Sequence, residues 1–582
     1  MKRTLAFWTL LILCALGPLA FGQSRETGAI TGRVIDDQAL GVPGVAVSLT
    51  SPSLMGMRAT STDETGAFRF PALPPGAYAL KAELSGFVTA VSEDIRVTTT
   101  STLTVDLVLK QAAMSEEITV VAQTPTVDVK SSETASVTLS DEILRNIPYS
   151  QFTADIVNLA PGVSEDSAYG SAQNTGIAYT MDGVNVADPE GGSAWVFLDH
   201  NIVEEAKVMG VGLPAEYGNF TGVIFNLVTK SGGNNLSGHF ELIFQGKKGD
   251  WPGGLWQAEN NKAYVGDFPT LSSPLSKLFD VNAHVGGPIV KDKVWFYAGA
   301  QFYRSQNYPA GFPEPIDYKQ PRGFLKISAQ PTPTFNLMAS LEVDTYLGEN
   351  RGASSTTSPE ATRTQDSPEV VGNFSLTKIL SPQTFYDVKG AFFWGYYYLD
   401  PEAGPDVNSH YDLGENMRYD SWGSYGYYDR SRFQANASVS HYAEDFIKGS
   451  HDFKFGVEAE RSFVRNRVGY TGKDHIRYWD LYGAPYLAYQ YEGYDTNTRY
   501  TRVEAFAQDS WQVTKRLNLN LGLRFSQNWG DIKGVDGVVF NTNRLAPRLG
   551  LTFDLFGDKT TVLKAHYGQF TEAMLASYHS PL

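Results

Sequence analysis

Arg516–Phe525 reads RLNLNLGLRF, in which Leu517, Leu519, Leu521 and Leu523 alternate with Asn518, Asn520, Gly522 and Arg524. A period of two puts the leucines on one face of a strand and the polar residues on the other. Phe453, Phe455, Val457 and Ala459 alternate in the same way with Lys454, Gly456, Glu458 and Glu460, and Leu549, Leu551, Phe553 and Leu555 repeat the pattern. An apolar face backed by charges suits the wall of a transmembrane barrel whose charges turn to the lumen. A series of soluble sandwiches with one wet face would carry the same period.

Connector length separates these readings. Between Leu236 and Phe570 about 13 strands can be placed, and their connectors alternate short and long, as an outer-membrane meander requires. Short ones fall at Gly287–Asp292, Pro331–Thr334, Leu380–Gln383, Glu444–Gly449, Thr514–Lys515 and Phe556–Lys559. Long ones fall at Lys247–Ser276, Ser305–Pro321, Gly348–Ser367, Tyr398–Ser431, Arg465–Thr498 and Trp529–Asn543. The chain start agrees: Lys2 and Arg3 precede an apolar run at Leu5–Leu16 and small residues at Ala20-Phe21-Gly22. Residues 1–22 therefore read as a secretory signal cut before Gln23.

The one cysteine, Cys14, lies within that signal, so the processed chain would hold no disulfide, thiolate metal site or cysteine nucleophile. No later segment has about 18 uninterrupted apolar residues, which excludes helical membrane spans. A net charge of −16 without a basic stripe argues against nucleic acid as a partner.

Residues 23–110 read as a β-sandwich. The strands Ala29–Ile35, Val45–Leu49, Arg58–Thr62, Ala67–Phe70, Ala77–Glu83 and Leu103–Leu109 are parted by turns such as Asp63-Glu64-Thr65-Gly66 and Pro74-Pro75-Gly76. The order GRVID, GVPGVAVSLT, TDETGAFRFPALPPGAYALKAELSGF resembles the carboxypeptidase regulatory-like domain, a transthyretin-like sandwich with a carbohydrate-binding-like fold. That resemblance implies an accessory module, a spacer or a glycan binder. Residues 111–128 form a linker around Glu116-Glu117-Ile118-Thr119-Val120-Val121-Ala122, whose β-branched run could add a strand to another protein's sheet. An added edge strand of the preceding sandwich is the other reading.

Residues 129–233 contain ILRNIPYSQFTADIVNLAPGV, YTMDGVNV and IVEEAKVMGVGLPAEYGNFTGVIFNLVTKSGGNN, in that order. Asp141–Asn146 begins a short helix, Phe152–Leu159 another turn or two, and Asp182-Gly183 marks a hairpin. The three motifs resemble the plug domain of TonB-dependent outer-membrane receptors, and the linker resembles their TonB box. VGGPIVKDKVWFYAGAQFYR at Val285–Arg304 resembles the first periplasmic hairpin of their barrels, which places residues 234–582 in the barrel.

The expected fold is thus mainly β: a transthyretin-like sandwich, a mixed α/β plug and a partial antiparallel transmembrane β-barrel of about 13 of about 22 strands. An odd, half-length set of strands cannot close, so the sequence predicts the N-terminal part of a larger barrel.

Chemistry is sparse. His200 with Glu204 and Glu205 offers metal-ligand types but a poor ligand count, so no metal, cofactor or catalytic residue is expected. The long loops carry aromatics that suit sugars, catecholates or other planar solutes: Trp251 and Trp256, then Trp422 and Tyr425, then Tyr478, Trp479 and Tyr482. An interfacial aromatic girdle explains them equally well.

The resemblance implies a Gram-negative outer-membrane receptor with periplasmic N-terminal domains. It would take up a large, scarce solute of the oligosaccharide or ferric-siderophore class through a plug-gated barrel set in outer-membrane lipid. A TonB-type energy-transducing protein would pull on Glu117, Ile118, Thr119, Val120 and Val121. Two other readings stand beside it: a non-transport surface, adhesion or export-associated barrel, and a secreted carbohydrate-binding sandwich protein.

Overall fold

The computed structural model describes residues 27–111 apart from 55, residues 118–119, residues 130–246 apart from 135, 147–152, 165–166, 170, 172–175 and 197, and residues 275–579 apart from 310. The predicted signal, Glu117, Val120, Val121, Trp251 and Trp256 lie outside the described residues.

The alternating segments form one continuous sheet of thirteen antiparallel strands, each paired with its neighbours in chain order. It runs through Ser237–Gly246, Leu275–Val290, Val294–Asn307, Ile316–Thr332, Phe335–Arg351, Arg363–Ser381 and Thr384–Pro401. It continues through Ser424–Ala443, Ser450–Tyr470, Tyr494–Gln512, Leu517–Ile532, Phe540–Asp554 and Val562–Gly568. One sheet, rather than several packed pairs, overturns the reading as a secreted string of sandwiches. Along Leu517–Ile532 the alternation resolves as expected: Leu521, Leu523 and Phe525 are exposed on the outer face, while Asn518, Arg524 and Ser526 are buried inside.

The tight turns stand where the sequence puts them, but the opposite rim differs. Strands continue well into the expected long loops, so Thr384–Pro401 and Ser424–Ala443 leave only residues 402–423 between them. Tyr425, expected in a loop, lies within Ser424–Ala443. Polar and tyrosine-rich outer ends look like loop, yet above the lipid they keep pairing because tyrosine and threonine favour strands. The remaining loops build a second sheet, in the order Met417–Tyr419, Ser409–Asp412, Ile476–Leu481 and Ala484–Gln490.

Inside the curved sheet sits the segment expected to form the plug. Its five strands run in the order Ser136–Ser140, Val203–Met209, Val223–Thr229, Ile177–Met181, Val184–Asn185. Val223–Thr229 is buried at every position, as a central strand covered on both faces must be. Asp182 and Gly183 turn the hairpin with φ of 47° and 79°, the left-handed pair that a two-residue turn needs. The core of this domain extends into the wall, where Tyr297, Phe324, Val371 and Phe393 join Ile177, Phe225 and Leu227.

The N-terminal sandwich has one sheet centred on Gly28–Ile35 and a second in the order Arg58–Ser61, Ala46–Thr50, Gly76–Glu83, Ala90–Val97, Ile118–Thr119. Val47, Leu49, Phe68, Phe70, Leu80 and Ile95 fill the space between them. Ala90–Val97 is absent from the sequence prediction because Ser92-Glu93-Asp94 interrupts its apolar pattern; Ser92 is nevertheless fully buried. The sandwich stands at the tight-turn rim, where Arg69 pairs with Asp452 at 2.7 Å and Arg33 with Glu444 at 3.6 Å. Short turns mark the periplasmic side of such barrels.

Leu521→Arg should destabilise the barrel by about 2–4 kcal/mol if the site lies near the bilayer midplane, and less toward either interface. Leu521→Phe should change it little. Urea titration of folding into lipid vesicles reads both, and equal stabilities would remove the lipid-facing assignment of that side.

Candidate functional site

The chemistry of the molecule concentrates where the wall meets the plug. Strand alternation turns every second side chain inward, and many of these are cations. Lys326 donates to the Thr229 carbonyl at 3.0 Å and its hydroxyl at 2.9 Å, and stands 3.4 Å from the Asp182 carboxylate. Asp182 in turn accepts from the Thr229 amide at 2.9 Å and hydroxyl at 2.6 Å, and its carbonyl accepts from Lys389 at 3.2 Å. The hairpin tip is therefore held from two wall strands at once.

The wall strand Ser424–Ala443 repeats the device. Arg430 pairs with Asp188 at 3.0 Å and also with Glu190. Arg432 donates to the carbonyls of Ala187 at 2.8 Å and Asn185 at 3.3 Å. Gln434 exchanges two hydrogen bonds with the Asn185 backbone, at 3.0 and 2.8 Å. On the far side Lys454 pairs with Glu216, and Arg524 donates to the carbonyls of Ala215 at 3.2 Å and Glu216 at 3.0 Å. Gly218 permits this approach, since a Cβ there would lie 2.3 Å from the Arg524 side chain.

Two buried glutamates anchor the cations. Glu460 accepts from Arg432 at 3.1 Å, Arg502 at 2.5 Å and Tyr500 at 2.8 Å. Glu504 accepts from Arg524 at 2.5 Å, Ser526 at 2.6 Å and Asn219 of the plug at 2.9 Å. Buried charge is tolerated only where it is paired and hydrogen-bonded, and these networks meet that condition.

At the periplasmic end the plug strand Val203–Met209 meets the sandwich. Glu205 accepts from the Thr99 amide at 3.0 Å and hydroxyl at 2.7 Å, and Lys207 donates to the Thr99 carbonyl at 3.2 Å and Thr100 hydroxyl at 2.8 Å. Burial pushes both Glu204 and Glu205 above the ordinary carboxylate range, against the pull of Lys230 on the first and of Thr99 on the second. Burial likewise pulls Lys230 down despite its 2.8 Å contact with Asp141. His200 occupies the short turn His200–Ile202, while Glu205 is committed to the sandwich. Among the described residues no group of three or more His, Cys, Asp or Glu side chains is arranged to hold a metal ion.

Of the predicted coupling segment, Ile118 and Thr119 pair in parallel with Ala90 and Val91 at the edge of the sandwich. Of the predicted solute aromatics, Tyr478 and Trp479 lie in Ile476–Leu481 of the outer sheet, and Tyr482 follows in a left-handed turn with φ of 49°. Tyr478 stacks on His410 with centroids 4.8 Å apart, and Trp479 meets Tyr411 edge-on at 5.1 Å. Trp422 lies against Arg363 and Arg418, each 3.9 Å from its ring centroid. Tyr425 faces Tyr427 at 5.4 Å. Tyr478 and Trp479 thus pack on rings of the neighbouring loop, and Trp422 packs on arginines. Sequence alternation places Lys454 and Arg524 on the inward face; Lys326, Lys389, Arg430 and Arg432 carry the same signal, charge at inward positions of amphipathic strands, but go unnamed there.

Comparison with known proteins agrees with this geometry. Residues 29–110 match the carboxypeptidase regulatory-like domain, and residues 306–581 match an outer membrane beta barrel domain. Over 682 aligned residues the chain is 26% identical to the TonB-dependent transporter Oar of Myxococcus xanthus, with 96% of this chain and 62% of that protein covered. Among solved structures it is similar to the outer membrane transporter YddB of Escherichia coli, with a TM-score of 0.57, 14% identity, and 78% of this chain and 63% of that one covered. The alcaligin outer-membrane receptor FauA of Bordetella pertussis gives a TM-score of 0.52 at 14% identity, over 78% of this chain and 64% of that one. The chain thus spans less than two thirds of the length of each of these proteins.

Asp182→Ala should loosen the plug, because Lys326 would stay buried without its carboxylate; breaking a buried pair in this way costs about 3–5 kcal/mol. Hydrogen exchange of residues 223–229 should then accelerate by about a hundredfold or more. Unchanged protection would show the clamp to be dispensable.

Proposed function

We propose that the chain, an outer-membrane β-barrel protein of TonB-dependent receptor architecture with an N-terminal carboxypeptidase regulatory-like domain, brings a large, scarce solute through its lumen on energy supplied from the periplasm. The observation that carries this reading is the clamped plug. A folded domain is held against the inner face of the curved sheet by Lys326, Arg430, Arg432, Lys454 and Arg524, and in a closed barrel it would leave a large solute no path until it is remodelled. Remodelling has to break buried ion pairs, which thermal motion alone does rarely. An external pull supplies that work.

The pull would enter through residues 117–121, by strand addition to a TonB-type partner. Solute would be met at the outer rim, where aromatics and arginines converge; the oligosaccharide and ferric-siderophore classes both present the planar or hydroxyl-rich surfaces such residues take. The relatives named above are transporters and receptors, which supports a non-enzymatic role.

Val120→Pro should abolish energised uptake of the cognate solute while leaving surface binding intact, since proline removes a strand hydrogen bond. Uptake at the wild-type rate would remove the coupling assignment. In a deletion strain, loss of surface material with all solute uptake intact would favour the adhesion or export reading.

A further inference from the structure

Arginines at the outer rim mostly have acidic partners: Arg465 meets Asp495 at 2.6 Å, Arg467 meets Asp429 at 3.2 Å, and Arg461 and Arg499 share Asp531 at 3.0 and 2.5 Å. Four do not. Among the described residues no carboxylate lies within 4.0 Å of Arg351, Arg363, Arg418 or Arg477. Acids near them in sequence have other partners: Glu349 pairs with Lys319 at 2.8 Å, Glu360 accepts from Ser358 at 2.7 Å, and Asp480 stands 2.8 Å from His410. In a chain with net charge −16, leaving four guanidinium groups together without a counterion is a costly arrangement.

The four are brought together by three loops. Arg363 and Arg418 both lie over the Trp422 ring, each 3.9 Å from its centroid. Gly352, beside Arg351, packs so close to the Trp422 ring that a Cβ would lie 2.3 Å from it, and a Cβ on Gly423 would lie 2.8 Å from Arg477. Backbone bonds fix the frame: Arg418 donates to the Thr356 carbonyl and accepts from Ser358, both at 2.9 Å, while Arg477 pairs with Ser409 in the outer sheet. The Nε atoms of Arg363 and Arg477 are buried without a hydrogen-bond partner. Burial, then the neighbouring Arg477, pulls Arg418 below the ordinary guanidinium value.

The cluster faces the lumen. Arg363 continues the strand face of Gln365, Ser367, Glu369 and Val371, and Val371 packs on the plug core. Arg351 hydrogen-bonds Gln365 on that same face. Deeper on that face, Glu369 pairs across the sheet with Asp344, so the inward side chains beneath the arginines are carboxyl groups.

We infer that Arg351, Arg363, Arg418 and Arg477 form the outer-mouth receptor site for a soluble solute bearing two or more oxyanion groups, carboxylate or phosphate. Guanidinium forks grip such groups in pairs, and Trp422 brings two of the forks to one ring. This inference rests on the uptake reading for its purpose, but its test does not need uptake.

Calorimetry on the full-length protein in detergent, with citrate and inorganic pyrophosphate as probes, should show binding by at least one of them that weakens as salt rises. The double variant Arg418→Gln/Arg477→Gln should bind about tenfold or more weakly, and Arg477→Lys should lose part of that affinity although the charge is kept. Heat-modifiable migration on gels checks that each variant is folded, and Arg418→Gln alone serves if the double variant is not. The Val120→Pro variant should bind the probe as the wild type does, which separates failure of coupling from failure of this site. No binding of either probe, equal affinity in the folded arginine variants, or binding of lipopolysaccharide phosphate alone would overturn the proposal.

Discussion

A charge turned into a barrel lumen needs either water or a partner, and where a plug fills the lumen the water is gone. Most of the inner architecture follows from that constraint. The wall strands put Lys326, Lys389, Arg430, Arg432, Lys454 and Arg524 inward at alternate positions, and each finds a plug acid or a plug carbonyl. Carbonyl acceptors matter here because they cannot be lost by substitution: the plug's turns at residues 185–187 and 213–217 present their backbone oxygens to the wall. The grip is therefore specified as much by backbone path as by side-chain identity.

The same constraint makes the plug both stable and removable. Among the described residues its apolar core meets the wall at Tyr297, Phe324, Val371 and Phe393, while Lys326, Lys389, Arg430, Arg432, Lys454 and Arg524 meet it through polar contacts. Polar and ionic contacts break one at a time and regain water as they do, so a pulled plug can unzip along a wetted seam. A fully apolar seam would have to be exposed over a broad area at once.

The sequence discloses the wall but not the grip. RLNLNLGLRF announces both faces of its strand because lipid and lumen impose opposite chemistry on adjacent residues. Asp182-Gly183 likewise announces its hairpin, since the turn demands positive φ at both positions. Arg432, in contrast, reaches Asn185 and Ala187, nearly half the chain away, and its acceptors are carbonyls that every residue carries. No local pattern marks such a contact. Ala90–Val97 was hidden for another reason: a buried Ser92 beside two acids breaks the alternation by which strands are recognised. The outer tyrosines misled in the opposite direction, because their polarity suggested loop where the backbone goes on pairing.

That hidden strand bears on how the coupling segment is presented. Ile118 and Thr119 pair in parallel with Ala90 and Val91, so the edge-strand reading and the partner-strand reading of this segment need not compete. A backbone hydrogen bond contributes a net of about 0.5–1.5 kcal/mol, and a two-residue pairing offers very few of them. Under the proposed coupling, a partner that adds a longer strand would gain more bonds than the sandwich gives up, and the exchange would need no change in the sandwich core. The sandwich in turn holds the plug through Thr99 and Thr100 against Glu205 and Lys207, on the strand that leads back to the plug centre. A pull applied beyond Ile118 would thus act on a domain already fastened to Val203–Met209, and the sandwich would serve as the handle through which force reaches the plug.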